Sequence, residues 1–371
     1  MIGMSIEMIK PPAEILYERE LRALREEPQG LRPASWLLSP VQVRDFIIGR
    51  EQPALLDGEQ VEITRKFYGN DIQIERAVVT LAGNRGLMLV GDPGTAKTML
   101  SELLSAAISG TSTNTIQGTA GTTEDMIKYS WNYAMLLDKG PSEQALVPAP
   151  LYNGMKKGIL TRFEEITRCP AEAQDSLISI LSDKVLSIPE LDGGVLFAKP
   201  GFNVIATANV RDKGVNEMSS ALKRRFNFET IRPVDNLKME ARIIESQARS
   251  LLIHSGIEIE IDTDVVELLA TTFMELRTGM TREGYKIDSP QAVMSTAEAV
   301  SVYVQSAMTS YYYENKGVSL DRLVQNMLGT IAKENDKDLA VLRTYFSKVV
   351  KDRAQEDGIW KEYYREKKWI N

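Results

Sequence analysis

The chain has 371 residues, 43% of them hydrophobic and 26% charged, with a net charge of −7. That length holds two domains with sizeable cores, the composition is that of a soluble globular protein, and the acid excess argues against non-specific adhesion to nucleic acid. The single cysteine, Cys169, excludes an internal disulfide and has no companions at metal-ligand spacing, which points to a reducing compartment. Met1–Lys10 is too short and interrupted for a signal peptide, and no stretch approaches the roughly eighteen apolar residues of a membrane span. The expected location is cytoplasmic, with no membrane partner.

Residues 1–60 read as a helical extension with loops. Ala13–Glu27 is rich in Glu, Arg and Leu, and Ser39-Pro40 forms a cap and first-turn pair for a short helix stopping at Gly49. No chemistry is visible there, and its apolar stripe should pack on the core or on a neighbour. Asn70 caps a helix through Leu81 that Gly83 ends, just before Gly86-Leu-Met-Leu-Val-Gly-Asp-Pro-Gly-Thr-Ala-Lys-Thr98. Leu87–Val90 has the apolar run of a strand buried on both faces, and Met99–Ile108 has helical composition ending at Gly110. Gly91 and Gly94 let the backbone curl so that N–H groups face phosphate oxygens, with a helix N-terminus behind them. The candidate nucleotide-binding residues are Asp92, Pro93, Gly94, Thr95, Ala96, Lys97, Thr98 and Met99. Lys97 would reach the β- and γ-phosphates and the Thr98 hydroxyl would hold Mg²⁺. Ala96 stands where the usual pattern has glycine and is the smallest replacement.

A Thr-, Gly- and Asn-rich stretch, Thr111–Gly121, precedes a helix start at Thr122–Asp125. Trp131, Tyr133, Met135, Leu136 and Leu137 follow, an apolar patch that is either buried between core elements or a protruding insert gripping a partner. Gly158–Glu165 reads as a strand, interrupted by Thr161 and Arg162 and ending in two acids. At a carboxyl strand end of a nucleotide-binding sheet such acids face the phosphates. Glu164 would meet Mg²⁺ through its water shell and Glu165 would orient or activate the attacking water, unless the pair is a solvated strand end. Ala171–Leu181 has helical spacing, and Val185–Ile188 with Val195–Ala198 flank Asp192-Gly193-Gly194 as a hairpin. Phe202–Asn209 is a strand whose terminal Asn209 either polarises water beside the γ-phosphate or is a turn residue. Lys223, Arg224 and Arg225 precede a strand at Asn227–Ile231, as a solvated basic face or as an arginine finger.

With the phosphate loop, acidic strand end, Asn-tipped strand and Arg-Arg-Phe in that order, the chain resembles the AAA+ ATPases, and within them the MoxR family, over roughly residues 60–300. The resemblance implies an α/β P-loop core, a parallel sheet flanked by helices, over 61–234, with the N-terminal helical extension over 1–60 and an α-helical lid with C-terminal helices over 235–371. It implies Walker A at 91–98, Walker B ending at Glu164-Glu165, sensor 1 at Asn209 and an arginine finger at Arg225, with Arg224 as the alternate. The hairpin at 185–198 resembles one placed before sensor 1, and 123–157 an insert around the second helix.

From Asp235 the chain runs helix after helix, as such a lid would. Asp235 caps a run to about Ser250, Asp264 and Glu267 form a capping pair, and Ser289-Pro290 opens a long helix toward Tyr313. His254 and Tyr311–Tyr313 read as packing residues, and Trp360, Tyr363, Tyr364 and Trp369 as a helical stripe that docks. Two departures stand out: Glu164-Glu165 replaces the usual Asp-Glu, and Ser289-Pro290-Gln291 replaces a sensor 2 Ser-Pro-Arg. Gln291 can donate hydrogen bonds to phosphate but cannot neutralise it.

The resemblance further implies ATP and Mg²⁺, hydrolysis to ADP and phosphate at the subunit interfaces of a homohexamer, and chaperone-like remodelling of a client, a von Willebrand factor A domain protein or that protein's metal-binding partner. Two rival readings are a nucleotide-gated scaffold with slow hydrolysis and a DNA-acting motor. The acid excess and the lack of a basic stripe count against nucleic acid.

Overall fold

Leu87, Met88 and Leu89 are all fully buried, yet they serve two different cores, because successive strand residues point to opposite faces. The computed structural model describes residues 8–209, 216–314, 316–332, 335–355 and 358–370; Met1–Glu7, part of the segment weighed as a signal peptide, lies outside them. Its strands are β1 (Ala54–Leu56), β2 (Glu59–Val61), β3 (Gly86–Gly91), β4 (Thr115–Gln117), β5 (Tyr129–Trp131), β6 (Leu146–Pro148), β7 (Thr161–Glu164), β8 (Val185–Ile188), β9 (Gly194–Phe197), β10 (Val204–Asn209) and β11 (Phe226–Ile231). By contact the chain divides into two compact units, Met1–Asp92 with Ala96–Ile231, and Pro93–Thr95 with Arg232–Asn371.

The first unit is an α/β layered structure on a five-stranded parallel sheet ordered β11-β3-β10-β7-β4. Parallel neighbours need crossover connections, and the helices Asp71–Ala82 and Lys97–Ser109 flank β3 in sequence. Asn70 caps the first of these, its side chain accepting from Ile72 N–H, and Ile74, Ala77, Val78 and Leu81 form the buried stripe. Leu87, Leu89 and Ile205 face one core; Met88, Val204 and Ala206 face the other.

The N-terminal extension belongs to the first of these cores, which also holds Leu21, Leu24, Trp36, Phe46 and Ile47. Ser39 and Gln42 make the capping box of the helix Pro40–Ile48. Lys66 is clamped beneath this segment, donating to Glu20 Oε2 (2.5 Å), the Phe46 carbonyl (2.9 Å) and the Thr64 carbonyl (2.9 Å). The hairpin β1–β2 turns at Asp57 (φ 52°) and Gly58 (φ 85°), an Asp-Gly pair that the sequence reading passed over.

Between β4 and β7 the structure decides between the two readings of the apolar patch, and after β7 it divides an expected helix. The apolar patch is not core: the helix Tyr133–Lys139 buries no residue, with Tyr133 72% and Leu137 89% exposed. Its seven residues fall in sequence between the paired strands β5 and β6, and no described element buries a residue of this short helix. Ala171–Leu181 breaks into Ala171–Asp175 and Ile178–Asp183. The β8–β9 hairpin forms as expected, with Val185 opposite Phe197 and Ile188 opposite Gly194. Tyr129 of β5 donates to Glu190 Oε2 in the hairpin loop at 3.0 Å.

The second unit is helical: Leu237–His254, Thr263–Thr278, Thr296–Glu314, Leu320–Ile331, Asp336–Tyr345 and Gly358–Arg365 surround one apolar core. Asn236, not Asp235, caps the first helix, and Asp262, not Asp264, caps the second by accepting from the Asp264 and Val265 N–H groups. Ser289-Pro290 opens no helix. The long helix starts at Thr296, where Ser295 and Glu298 exchange side-chain and backbone hydrogen bonds as a capping box. Trp360 and Tyr363 pack inside this core, the Tyr363 ring 4.6 Å from that of Phe346. Trp369 remains 45% exposed, and His254, Tyr312 and Tyr313 are exposed rather than packed.

Candidate functional site

The site is built where three neighbouring parallel strands end. Asn209, the last residue of β10, pairs with Gly91, the last of β3; on the other side Ala206 pairs with Phe163 of β7. The loop that leaves β3 enters the helix Lys97–Ser109, and Ala96 at its N-cap adopts φ 63°, ψ 24°. That left-handed conformation explains why glycine is usual there, since a Cβ costs about 1 kcal/mol or more in it. Lys97 is buried, its ammonium donating to the Gly91 carbonyl at 3.1 Å and the Asp92 carbonyl at 2.7 Å. A cation is thus held at the throat of a curled loop.

Glu164 is 3% exposed and both its oxygens are saturated. Oε2 accepts from Thr98 Oγ1 (3.0 Å) and Thr207 Oγ1 (2.8 Å); Oε1 accepts from Ser101 Oγ (2.6 Å) and Arg162 Nη2 (2.8 Å). Arg162, itself 5% exposed, also donates to Ser101 Oγ (2.9 Å) and the Ser112 carbonyl (2.7 Å). Four donors offset the cost of burying this carboxylate.

Glu165 turns away from the strand at φ 53°, ψ 44°. Its N–H donates to Thr207 Oγ1 (2.9 Å), its Oε2 pairs with Arg168 Nε (2.8 Å), and Asn209 Nδ2 lies 3.5 Å from its Oε1. Gly118, at the end of β4, donates its N–H to the Glu164 carbonyl at 2.7 Å, and a Cβ there would collide with the Glu165 carbonyl. The adjacent Cys169 is buried, and burial pushes its thiol up, away from reactivity.

Residues 86–226 match the AAA domain of the dynein-related subfamily, and residues 238–371 the YehL-like AAA+ ATPase C-terminal domain. The Escherichia coli K12 protein YehL is 48% identical over 358 residues, 96% of each chain. The chain belongs to the MoxR family of AAA+ ATPases. Chaperone MoxR1 of Mycobacterium tuberculosis is 29% identical over 170 residues, 45% of this chain and 41% of that one. Among solved structures, NtrX from Brucella abortus overlays with a TM-score of 0.48 at 12% identity, covering 82% of this chain and 64% of that one.

Against this MoxR-type frame, Lys97, Thr98, Glu164, Glu165 and Asn209 converge, whereas the arginines stand apart. The Gly86 N–H donates to the Arg225 carbonyl (2.9 Å), and Phe226 is in register with Gly86. Arg224 and Arg225 therefore sit at the opposite end of β3 from the loop, about 17 Å away at 3.3 Å per residue. Arg225 donates to Ser182 Oγ (2.8 Å) and the Ala221 carbonyl (2.6 Å), and Arg224 is exposed. Gln291 lies in the helical unit on the loop preceding Thr296, its N–H on Asp338 Oδ1 at 2.7 Å and its Oε1 3.4 Å from Asn335 Nδ2. The glutamine side chain is exposed.

The sequence reading missed Ser101, Arg162, Thr207, Arg168 and Gly118. A signal existed for Arg162: a strand residue two before Glu164 shares its face, so a buried cation there implies a buried anion. Ser101 follows Thr98 by three on one helix and so presents a second hydroxyl on the same face. Thr207 and Gly118 carried no local signal, because only strand pairing brings them in.

Proposed function

We propose that the chain binds and hydrolyses MgATP at this site. The reading rests chiefly on the fully hydrogen-bonded Glu164 beside Thr98, with Glu165 and Asn209 at the next strand ends. One buried carboxylate and one hydroxyl are a hard oxygen donor set that suits Mg²⁺, which takes most of its remaining ligands from water and phosphate. Among the described residues no group of three or more His, Cys, Asp or Glu could hold a metal ion. Asp92, Pro93, Gly94, Thr95, Ala96, Lys97, Thr98 and Met99 would cradle the triphosphate. Lys97 would exchange its two carbonyl partners for β- and γ-phosphate oxygens. Thr98 and Glu164 would hold Mg²⁺, which when bound neutralises charge between those phosphates. Glu165, released from Arg168, would accept a proton from the attacking water, and Asn209 would orient that water.

The position of Arg225 and Arg224 beyond the start of β3 supports a finger acting on a neighbour's nucleotide rather than its own. Activity would then depend on assembly, in a ring that we take to be a homohexamer. The exposed helix Tyr133–Lys139 supports a protein client gripped by the ring, in line with the name of the relative Chaperone MoxR1. A von Willebrand factor A domain protein remains the partner we propose on family grounds. Gln291 would contact the γ-phosphate as a neutral sensor. A slower, nucleotide-gated scaffold is the second reading, favoured by the Arg168 ion pair that occupies Glu165. No helix among the described residues is long and apolar enough to cross a membrane; a cytoplasmic location is part of the proposal.

Steady-state hydrolysis measured against protein concentration, with mass recorded at each point, tests it. Turnover should rise with assembly and vanish in Lys97→Ala, Glu165→Gln and Arg225→Ala, while Glu165→Gln still binds ATP and assembles. A wild type that assembles but turns over no faster than Glu165→Gln would refute the motor and leave the scaffold.

A further inference from the structure

The second unit contains an open edge that its own fold leaves unused. Between the helices Leu237–His254 and Thr263–Thr278, residues 257–262 (Ile-Glu-Ile-Glu-Ile-Asp) alternate in burial: Ile257 and Ile261 are buried and Ile259 half-buried, while Glu258, Glu260 and Asp262 are exposed. Period-two burial is the mark of extended backbone. The ends are fixed: the Ile257 N–H donates to the Leu252 carbonyl (2.9 Å), and the Asp262 N–H to the Tyr303 hydroxyl (3.0 Å). Between them, the N–H groups of Glu258, Ile259, Glu260 and Ile261 make no hydrogen bond to described residues. The segment is in effect a single strand with no partner strand, and an unpaired edge is a template for another chain.

A groove of about 650 Å³ runs along this edge, walled on the far side by Tyr311, Gly317 and Val318. Its charge is one-sided. Glu258 and Glu260 make no salt bridge to described residues, and they project on the same side as Asp262 because they are two residues apart. Lys316 also lines the groove, but Glu314 neutralises it at 2.7 Å. Tyr311, which lines the groove, meets Tyr312 edge to face at 5.3 Å. Tyrosine faces beside carboxylates favour lysine and arginine through cation–π attraction.

We propose that this groove binds an extended, basic segment of a partner protein by strand addition to residues 257–262. Backbone pairing supplies affinity, and side chains of alternating character supply specificity. Lysines or arginines of the incoming strand would stand across from Glu258 and Glu260, and its apolar residues would lie inward over Tyr311 and Val318. The four residues with unpaired N–H groups, 258–261, give an open edge of about 13 Å at 3.3 Å per residue, which the middle of a six-residue peptide spans. The inference is independent of the nucleotide site, so binding is measured on the full chain without ATP.

The probe is a capped hexapeptide of alternating lysine and valine, titrated by calorimetry or fluorescence anisotropy. The expected result is saturable one-to-one binding, weakened about tenfold or more by Glu258→Lys/Glu260→Lys, a pair whose exposure makes the fold tolerant of the change. The same variant should gain affinity for the glutamate–valine peptide. Of two peptides N-methylated either at every valine or at every lysine, one should lose binding, because methylation removes edge donors without altering charge. Absence of binding, equal binding by the charge-reversed variant, or equal binding by both methylated peptides overturns the proposal. So does a result in which Glu258→Lys/Glu260→Lys abolishes self-assembly and leaves peptide affinity unchanged, which would make the edge a contact between copies.

Discussion

Arg162→Met is the perturbation that most directly probes what holds the buried Glu164 carboxylate in place inside the fold. The substitution preserves apolar bulk but removes three donors, to Glu164 Oε1, Ser101 Oγ and the Ser112 carbonyl. Removing one partner of a buried ion pair costs about 3–5 kcal/mol. Thr98, Ser101 and Thr207 still donate to Glu164, so the low end, about 3 kcal/mol, is expected. For a unit of this size that corresponds to a fall of roughly 6–12 °C in Tm. Differential scanning calorimetry of the wild type, Arg162→Met, Glu164→Gln and the double variant checks the reasoning. The double variant should be more stable than the sum of the singles predicts by about 1–3 kcal/mol, since the neutral amide no longer needs the cation. If Arg162→Met melts within about 1 °C of wild type, or the two changes add, then Arg162 is not what sustains the buried charge.

Other outcomes follow from single features. Ala96→Gly removes a Cβ from a left-handed residue and should be neutral or stabilising by up to about 1 kcal/mol in urea unfolding; a clear loss would mean that the Ala96 methyl packs favourably. Gly118→Ala drives a Cβ into the Glu165 carbonyl, so it should lower both Tm and ATP turnover, read together in one melt and one hydrolysis assay. In the helical unit, hydrogen bonding to Arg353 holds the Glu283 carboxyl down to about 2 from 4.5. Its contribution is complete above about pH 4.5 and lost as pH falls through 2, so the stability gap between wild type and Glu283→Gln should close over that window. With the side chain 39% exposed, solvent screening limits the gap to about 1 kcal/mol or less. Tyr133→Ser with Leu137→Ser should leave melting within about 0.5 kcal/mol per site, because both side chains are already in solvent; a loss of several kcal/mol would show that the patch is buried in solution.

Much of the protein was legible from sequence alone because its signals are local. The loop from Gly91 to Thr98 needs only glycines, a lysine and a helix start, and the Ser39-Pro40 cap and first-turn pair declares the start of the helix Pro40–Ile48 within one turn. The apolar run of β3 shows a strand covered on both faces wherever it lies in the sheet. The structure shows an α/β core and a helical second unit, and brings Lys97, Thr98, Glu164, Glu165 and Asn209 to adjoining strand ends. Ser289-Pro290 misled because a cap and a first-turn proline are permissive signals, and the Ser295/Glu298 capping box six residues later fixed the actual start.

What local pattern could not carry was decided by strand order. Thr207 reaches Glu164 only because β10 lies between β3 and β7, and Gly118 reaches Glu165 only because β4 closes that edge of the sheet. Arg162 looked like a flaw in an apolar strand and is instead the counterion of the site. The patch at Tyr133–Leu137 has a core-like composition, but burial depends on whether another layer covers it, and none does among the described residues. Sequence fixes the chemistry each residue can perform and the periodicity of its element. Only the tertiary structure decides which residues, dozens of positions apart, share one low-dielectric space, because that depends on the order in which strands pair and on what covers each face.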